Sequence, residues 1–467
     1  MAADKSMADG AGVAGGDAAE VAEDSTQVVE YAAAIDVAKG SGMVCTRVPG
    51  SRADRRRQKT WRVEATFKQV TALMDHLRAE GIQRLVLEST SDYWRIWYYL
   101  AEAAGLEVQL VSDVGHLPGR GKSDKADCVW LCKLNERGML RRSFVPPQPV
   151  RDLRALTRTR SRLAQDQARH QARVEKILED ALLKISVVIS DLFGASGRRF
   201  LDALVAGERS PAALAALGDK RLRATRAQLA EALTGRFRDI HAFEISVHLR
   251  LIDAICAEIT ALDEQIGQQL ALVPGTAPAC AACGLAGGGH APGCADQDVE
   301  VLGLAERLDE ITGVGTVNGR AIIAELGTDP SQFPTPGHAA GWARLTPRSQ
   351  QSGETAKPGR TGKGNRYLRG ALGQAAMTAA RTDTRLGAMY RRIARKRGKQ
   401  KAIVAVSRLI CEIAWILICD PSARYRELGP DYCQPLSPAR QTRAKIREIE
   451  RLNPGKKVIL ADVGAAA

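Results

Sequence analysis

Ala34-Ile35-Asp36-Val37-Ala38-Lys39 sets one acid inside an otherwise apolar run. Val28 to Val37 has the apolar, β-branched character of a strand, and Asp36 falls near its end. Burying an unpaired carboxylate costs several kcal/mol, so an acid here either meets a cation or points to solvent at the strand end. Leu85-Val86-Leu87-Glu88-Ser89-Thr90 repeats the pattern, an apolar run ended by Glu88. Strand ends at a sheet edge are where α/β sites assemble.

Working outward, Met43–Val48 and Trp61–Ala65 read as the next two strands, and Phe67–Glu80 as an amphipathic helix stopped at Gly81. Arg84–Leu87 is a strand, Tyr93–Ala104 a helix, Glu107–Val111 a strand and Asp124–Leu134 a helix. Three strands followed by alternating helix and strand predict an α/β domain with a mixed sheet. Lys122-Ser123-Asp124-Lys125-Ala126-Asp127 places two acids three apart at a helix start, on one face. The helix dipole favours acids there too, which explains one of them better than both. Together Asp36, Glu88, Asp124 and Asp127 could hold two Mg²⁺ ions for phosphodiester transfer.

Six segments are expected. Residues 1–27 are rich in Ala, Gly and Asp, too poor in large apolar side chains to offset ordering entropy, and read as a disordered tail. The α/β domain spans 28–150, with Pro146, Pro147 and Pro149 closing it. Residues 151–273 carry two long helical patterns around a small helical insert, which suits a coiled-coil hairpin or ordinary bundle helices. A Cys/His loop follows at 274–298, then a mostly helical domain at 299–425 and a charged helical tail at 426–467.

The 467 residues carry a formal net charge of +14, with a pI of about 9.4, which suits a polyanionic partner, usually nucleic acid. No membrane role is expected: Ile410–Cys419 is short for a span and contains Glu412, so it reads as a buried helix. The N-terminus lacks a signal-peptide pattern, and the ten cysteines fit a reducing cytoplasm, close to the nucleoid for a DNA-acting chain.

Four soft ligands, Cys280, Cys283, His290 and Cys294, stand within fifteen residues of a Gly- and Pro-containing loop. Structural Zn²⁺ or free thiols would both account for them. Gly313-Val314-Gly315 between apolar helices reads as a helix-hairpin-helix turn whose amides approach a phosphate, or as a plain turn. Arg348, Lys357, Arg360, Lys363, Arg366 and Arg369 line a Gly-rich polar stretch that could clamp phosphates. Arg395, Lys396 and Arg397 form a basic helix end, suited to a nucleic-acid backbone or to a solvated surface. Ser349 and Ser352 lie in the polar stretch, and no sequence rule chooses between them as a nucleophile.

Ala-Ile-Asp-Val-Ala-Lys, Glu88-Ser-Thr-Ser-Asp-Tyr-Trp94 and Lys122-Ser-Asp-Lys-Ala-Asp-Cys-Val-Trp-Leu131 resemble the RuvC-like domain of the DEDD transposases of insertion-sequence family one-ten, the bridge-RNA-guided recombinases. The second half resembles them as well, at Ile311–Gly315, Ala321–Gly327, Gly341–Pro347, Gln351-Ser352-Gly353 and Gly362–Arg369. Ser91 departs from the glycine that many members carry there, which bears on a turn. The cysteine loop is not part of the resemblance.

The resemblance implies an RNase H/RuvC-like mixed sheet, a helical hairpin and a helical transposase domain. It implies Mg²⁺ on the four acids and Ser352 as the nucleophile that makes a transient phosphoserine link to DNA. It also implies a homodimer or homotetramer acting on donor and target DNA with a structured guide RNA. A metal-dependent nuclease without serine chemistry and a nonenzymatic nucleic-acid scaffold are the competing readings.

Overall fold

Alternating apolar runs do become the strands of a five-stranded mixed sheet. The computed structural model describes residues 29–51, 55–112, 123–278, 280, 282–283, 291–294, 301–347, 349–352, 355–359, 361–432 and 438–459. The expected tail at 1–27 lies outside them. The chain divides into two compact units, Met1–Val145 and Pro146–Ala467.

In the first unit the order is β1 Ala32–Val37, β2 Ser41–Pro49, β3 Arg56–Glu64, α1 Phe67–Ala79, β4 Arg84–Glu88, α2 Arg95–Ala103, β5 Glu107–Val111 and α3 Asp124–Glu136. The sheet runs β3-β2-β1-β4-β5, with β1, β2 and β3 antiparallel and β1, β4 and β5 parallel. This arrangement is consistent with an RNase H-like domain. Side chains alternate across the sheet. Ile35, Val37, Leu85 and Leu87 pack under α1 and α2 with Leu77 and Trp97. Ala32, Ala34 and Val86 face the other way, under Cys128, Leu131 and Cys132 of α3.

β3 starts at Arg56, five residues before the expected Trp61. Arg56 to Thr60 show no apolar alternation because β3 is an edge strand, where charge is tolerated. Ser91, in the turn after β4, sits at φ 50°, the left-handed region glycine would occupy more easily.

The second unit opens with α4, Gln148–Asp180. Pro149 therefore starts this helix rather than closing the previous domain, as the missing proline N–H costs nothing in a first turn. Four short helices follow, α5 Ile185–Val188, α6 Ala195–Val205, α7 Pro211–Ala216 and α8 Arg226–Ala232, before α9, Asp239–Ala271. α4 and α9 are antiparallel: Arg160 meets Asp263, Gln167 meets Cys256, His170 meets His248, and Asp180 meets His241.

Beyond them lie α10 Leu304–Asp309, α11 Thr316–Leu326, α12 Pro336–Trp342, a hairpin of β6 Ser349–Ser352 and β7 Thr355–Pro358, α13 Arg366–Ala379, α14 Arg385–Arg397, α15 Lys399–Cys419 and α16 Pro438–Leu452. The hairpin was not expected; its strands are polar and pair in antiparallel register. α15 is longer than the expected Ile410–Cys419 and is long and apolar enough to cross a membrane by length and composition. It serves here as a core helix: Val406, Ile410, Ala414 and Trp415 are buried, and the Trp415 indole N–H donates to the Phe333 carbonyl at 3.2 Å.

Candidate functional site

β1 and β4 are parallel neighbours in the register Ile35↔Leu87, so Asp36 and Glu88 follow one step further on, at the same ends of adjacent strands. Adjacent strands lie about 4.8 Å apart. By alternation both acids belong to the face with Ala34 and Val86, the face that α3 covers. Both are half-buried.

α3 runs against β1. The Asn135 amide donates to the Ala33 and Arg84 carbonyls at 3.0 and 3.1 Å, Cys132 Sγ lies 3.5 Å from the Ala32 carbonyl, and Cys128 Sγ lies 3.5 Å from that of Ala34. Its first turn is thus carried to the end of β1 that bears Asp36. The Asp36 backbone N–H and carboxylate both act on the Cys128 thiol, one residue after Asp127. Hydrogen bonding to Cys45 and burial push the Cys128 and Cys132 thiols far above their usual range, so they stay neutral packing groups.

The helix is fixed at both ends. Ser123 Oγ caps it by accepting from the Ala126 N–H at 3.3 Å. The buried Glu136 carboxylate takes Arg47 at 2.9 Å and Arg56 at 2.7 Å. Asp124, exposed, and Asp127, half-buried, share the first turn of α3. That turn lies toward the end of β1 that bears Asp36, but among the described residues the four acids do not form a group whose ligand atoms all lie within 4.8 Å of one another. Hard carboxylate oxygens of one sign on strand and helix ends are a donor set that suits a divalent cation.

In the second unit the serine candidates fall on the β6–β7 hairpin. Ser352 ends β6 and pairs with Thr355, and Ser349 begins it and pairs with Pro358. Arg348, Gly353 and Arg360 lie outside the described residues, and Lys357 is in β7. Lys363 and Arg366 are exposed, while the Arg369 guanidinium donates to the Gly362 carbonyl at 2.8 Å. Arg395, Lys396 and Arg397 are exposed in the last turn of α14, where the helix dipole favours cations.

The two glycines of the 313–315 turn do different things. Gly313 has φ 90°, and a Cβ there would come within 2.3 Å of the Ala375 carbonyl in α13. Its small size serves helix packing. Gly315 heads α11, with nothing within 4 Å of a Cβ placed there.

One part of this unit was not anticipated. Arg154, Arg158 and Arg162 form a stripe at i, i+4 spacing on α4. Arg158 clasps the buried Glu325 carboxylate through both nitrogens, at 2.7 and 2.8 Å, Arg154 adds a contact at 3.4 Å, and Asn365 donates to it as well. Arg162 donates to the Tyr367 hydroxyl at 3.0 Å, and Arg158 and Arg366 lie over the Tyr367 ring, 4.8 and 4.7 Å from its centroid. Beside them is a cavity of about 460 Å³ lined by Arg158, Arg160, Arg320, Glu325, Arg366 and Tyr367. The four-residue arginine spacing was the signal in the sequence.

In the cysteine loop, the sulfurs of Cys280, Cys283 and Cys294 all lie within 4.8 Å of one another, while His290 is outside the described residues.

Two family models match the chain. The DEDD transposase model of the IS110 group matches residues 33–182, which hold all four acids. The model described as the transposase IS116/IS110/IS902 family matches residues 305–391, which hold the glycine turn and Ser352. Together they take in just over half of the sequence. No curated protein matches the chain.

Proposed function

The chain belongs to the IS110 family of DNA transposases, and from that premise we propose that it cuts and rejoins DNA at a site composed of Asp36, Glu88, Asp124, Asp127 and Ser352. The observation that supports this reading is the parallel register that sets Asp36 and Glu88 at like ends of β1 and β4, on the face covered by α3, whose first turn holds Asp124 and Asp127. DEDD transposase chemistry depends on a divalent metal, and Mg²⁺ is the ion we assign to these carboxylates. Bound there, a pair of such ions would supply a polarised phosphate and a stabilised leaving oxygen.

The chain's own residues do the rest. Asp36 and Glu88 present oxygens from the rigid sheet, and Asp124 and Asp127 close over them from the capped helix. Ser352 Oγ attacks phosphorus: an Oγ–P bond forms, a P–O bond to deoxyribose breaks, and the serine proton is lost as the departing oxygen gains one. The phosphoserine ester conserves the bond energy, so a DNA hydroxyl can reverse the step and rejoin strands without an external energy source. The serine and the acids are supplied by different protomers of a homodimer or homotetramer.

Lys357, Lys363, Arg366 and Arg369, with Arg348 and Arg360 from the same stretch, hold phosphates beside the hairpin. Gly315 offers the amide end of α11, and Arg395–Arg397 extend the basic surface. A structured guide RNA encoded with the element selects donor and target by base pairing, while the protein reads backbone shape and charge.

The test is adduct trapping. With guide RNA, DNA and Mg²⁺, the wild-type chain and Ser349→Ala should form a covalent protein–DNA species, and Ser352→Ala should form none. Mixing Ser352→Ala with Asp36→Asn should restore part of the adduct. Hydrolysed ends without any adduct in the wild type would instead indicate the metal-nuclease reading, and an adduct in Ser352→Ala would move the nucleophile elsewhere.

A further inference from the structure

The two ends of the segment between α9 and α10 are joined at Thr276. The Thr276 hydroxyl donates to the Leu270 and Val273 carbonyls at 2.6 and 2.8 Å, which ends the α9 turn. The Thr276 carbonyl then accepts the Leu304 N–H at 3.0 Å, where α10 begins. The residues between, 277–303, carry only four large apolar side chains, Leu285, Val299, Val301 and Leu302. An excursion of that composition cannot offset its ordering entropy by burial and needs another source of cohesion. It lies between the two family-matched stretches and belongs to neither.

Its cysteines supply that source. Cys280 Sγ and Cys294 Sγ are 3.6 Å apart. That is far beyond a disulfide bond, about 2.05 Å. It is close to the roughly 3.8 Å separating two thiolates on one tetrahedral zinc with Zn–S bonds of about 2.3 Å. Cys283 completes a trio within 4.8 Å, and its sulfur accepts the Ala291 backbone N–H at 3.3 Å. Backbone N–H donation of that kind orients a metal-bound thiolate and disperses its charge. Cys280 is buried, so the trio sits against the fold rather than out in solvent.

We propose that Cys280, Cys283 and Cys294 hold a structural Zn²⁺ ion that pins the segment they bracket; the sequence offers His290 as the fourth ligand. The sequence places His290 directly before Ala291, whose amide already touches Cys283. Three thiolates and an imidazole prefer zinc over the hard ions that suit the carboxylates of the first unit. Four protein ligands leave no open position for substrate, so the site is architectural. Binding releases the three thiol protons to solvent.

The full-length chain, made with a tag free of histidine and purified without chelators, should carry about one zinc per chain by elemental analysis. Cys283→Ser and Cys294→Ser should lose it, while Cys256→Ser, an exposed cysteine on α9, should keep it. Because the cysteine variants could misfold, the stripped wild-type chain should also be titrated with Co²⁺. A tetrahedral d–d spectrum with a thiolate charge-transfer band is expected, altered in His290→Ala. Protease sensitivity within 277–303 should rise when zinc is removed and fall when it is restored. The proposal is overturned by wild-type protein without zinc, by zinc retained in the Cys280→Ser/Cys294→Ser double variant, by bound iron in place of zinc, or by two thiols lost to a Cys280–Cys294 disulfide. An unchanged cobalt spectrum in His290→Ala removes His290 from the ligand set.

Discussion

Two regions treat carboxylates differently. At the ends of β1 and β4, Asp36 and Glu88 stand at like positions of neighbouring strands, and α3, pinned at both ends, carries Asp124 and Asp127 in its first turn. Elsewhere carboxylates are taken up by guanidinium groups: Glu136 of α3 by Arg47 and Arg56, and in the helical unit Glu325 by Arg158 and Arg154, Asp263 by Arg160, Glu310 by Arg424. Hard oxygens of the first kind suit a cation. Those of the second hold elements together. Substituting one of the four acids should therefore change chemistry, and substituting a guanidinium-held acid should change stability.

The largest effect should come from Asp36→Asn or Asp127→Asn. Each keeps the shape but removes a charged ligand, and strand transfer should fall on the order of 10³-fold. Thermal stability should stay within about 0.5 kcal/mol of the wild type, or rise slightly, because like charges have been thinned. RNA and DNA binding should persist if, as proposed, these acids serve a cation and not a phosphate. If binding or the melting temperature falls along with activity, the acids are structural and the contrast between the two kinds of acid fails.

Next in size is Glu325→Ala. Glu325 is 1 % exposed and grips both α4 and the start of α13 through Arg158 and Asn365. Its removal leaves half-buried guanidinium charge and the Asn365 amide without their partner, which costs at most about 3–5 kcal/mol. A melting temperature lowered by several degrees is expected, with Glu325→Gln in between. Unchanged stability in Glu325→Ala would free this cluster to be a ligand site, facing the neighbouring cavity rather than bracing it.

Sequence made one of these arrangements far more legible than the other. Asp36 and Glu88 stand out because each is the acid in, or at the end of, a continuous apolar run, and Asp124 and Asp127 because they follow a capping serine. Both signals are local. Glu325 gives no such signal: it sits in an apolar helix among Ala324 and Leu326, and its partners come from 167 and 40 residues away. The packing role of Gly313 is silent in the sequence for the same reason, since its need for a missing Cβ comes from α13, distant in sequence. The first residues of β3 and the β6–β7 hairpin escaped notice because polar strands at an edge or in an isolated pair carry no apolar alternation. Ser352 was singled out through family resemblance rather than through chemistry visible in its neighbours.

The smallest effect concerns the α4–α9 hairpin, where two cationic precursors face each other instead of an acid and a base. His170 Nδ1 and His248 Nδ1 are 3.1 Å apart. Desolvation, then His170, then Arg173 hold the His248 imidazole below its ordinary 6.5, with Glu244 opposing them weakly. A histidine whose folded pKa is depressed binds fewer protons folded than unfolded. The unfolded chain therefore gains protons first as pH falls through about 6.5, and stability that is complete above that value is lost below it. The site is partly open to solvent, so screening keeps the change to a fraction of a kilocalorie. Melting curves recorded between about pH 7.5 and pH 5.5 should fall more steeply for the wild type than for His170→Gln, which removes the opposing imidazole. Equal slopes would mean that the pair shares a single proton across its 3.1 Å contact without strain, and that even the like-charged contacts of the helical unit are compensated within it.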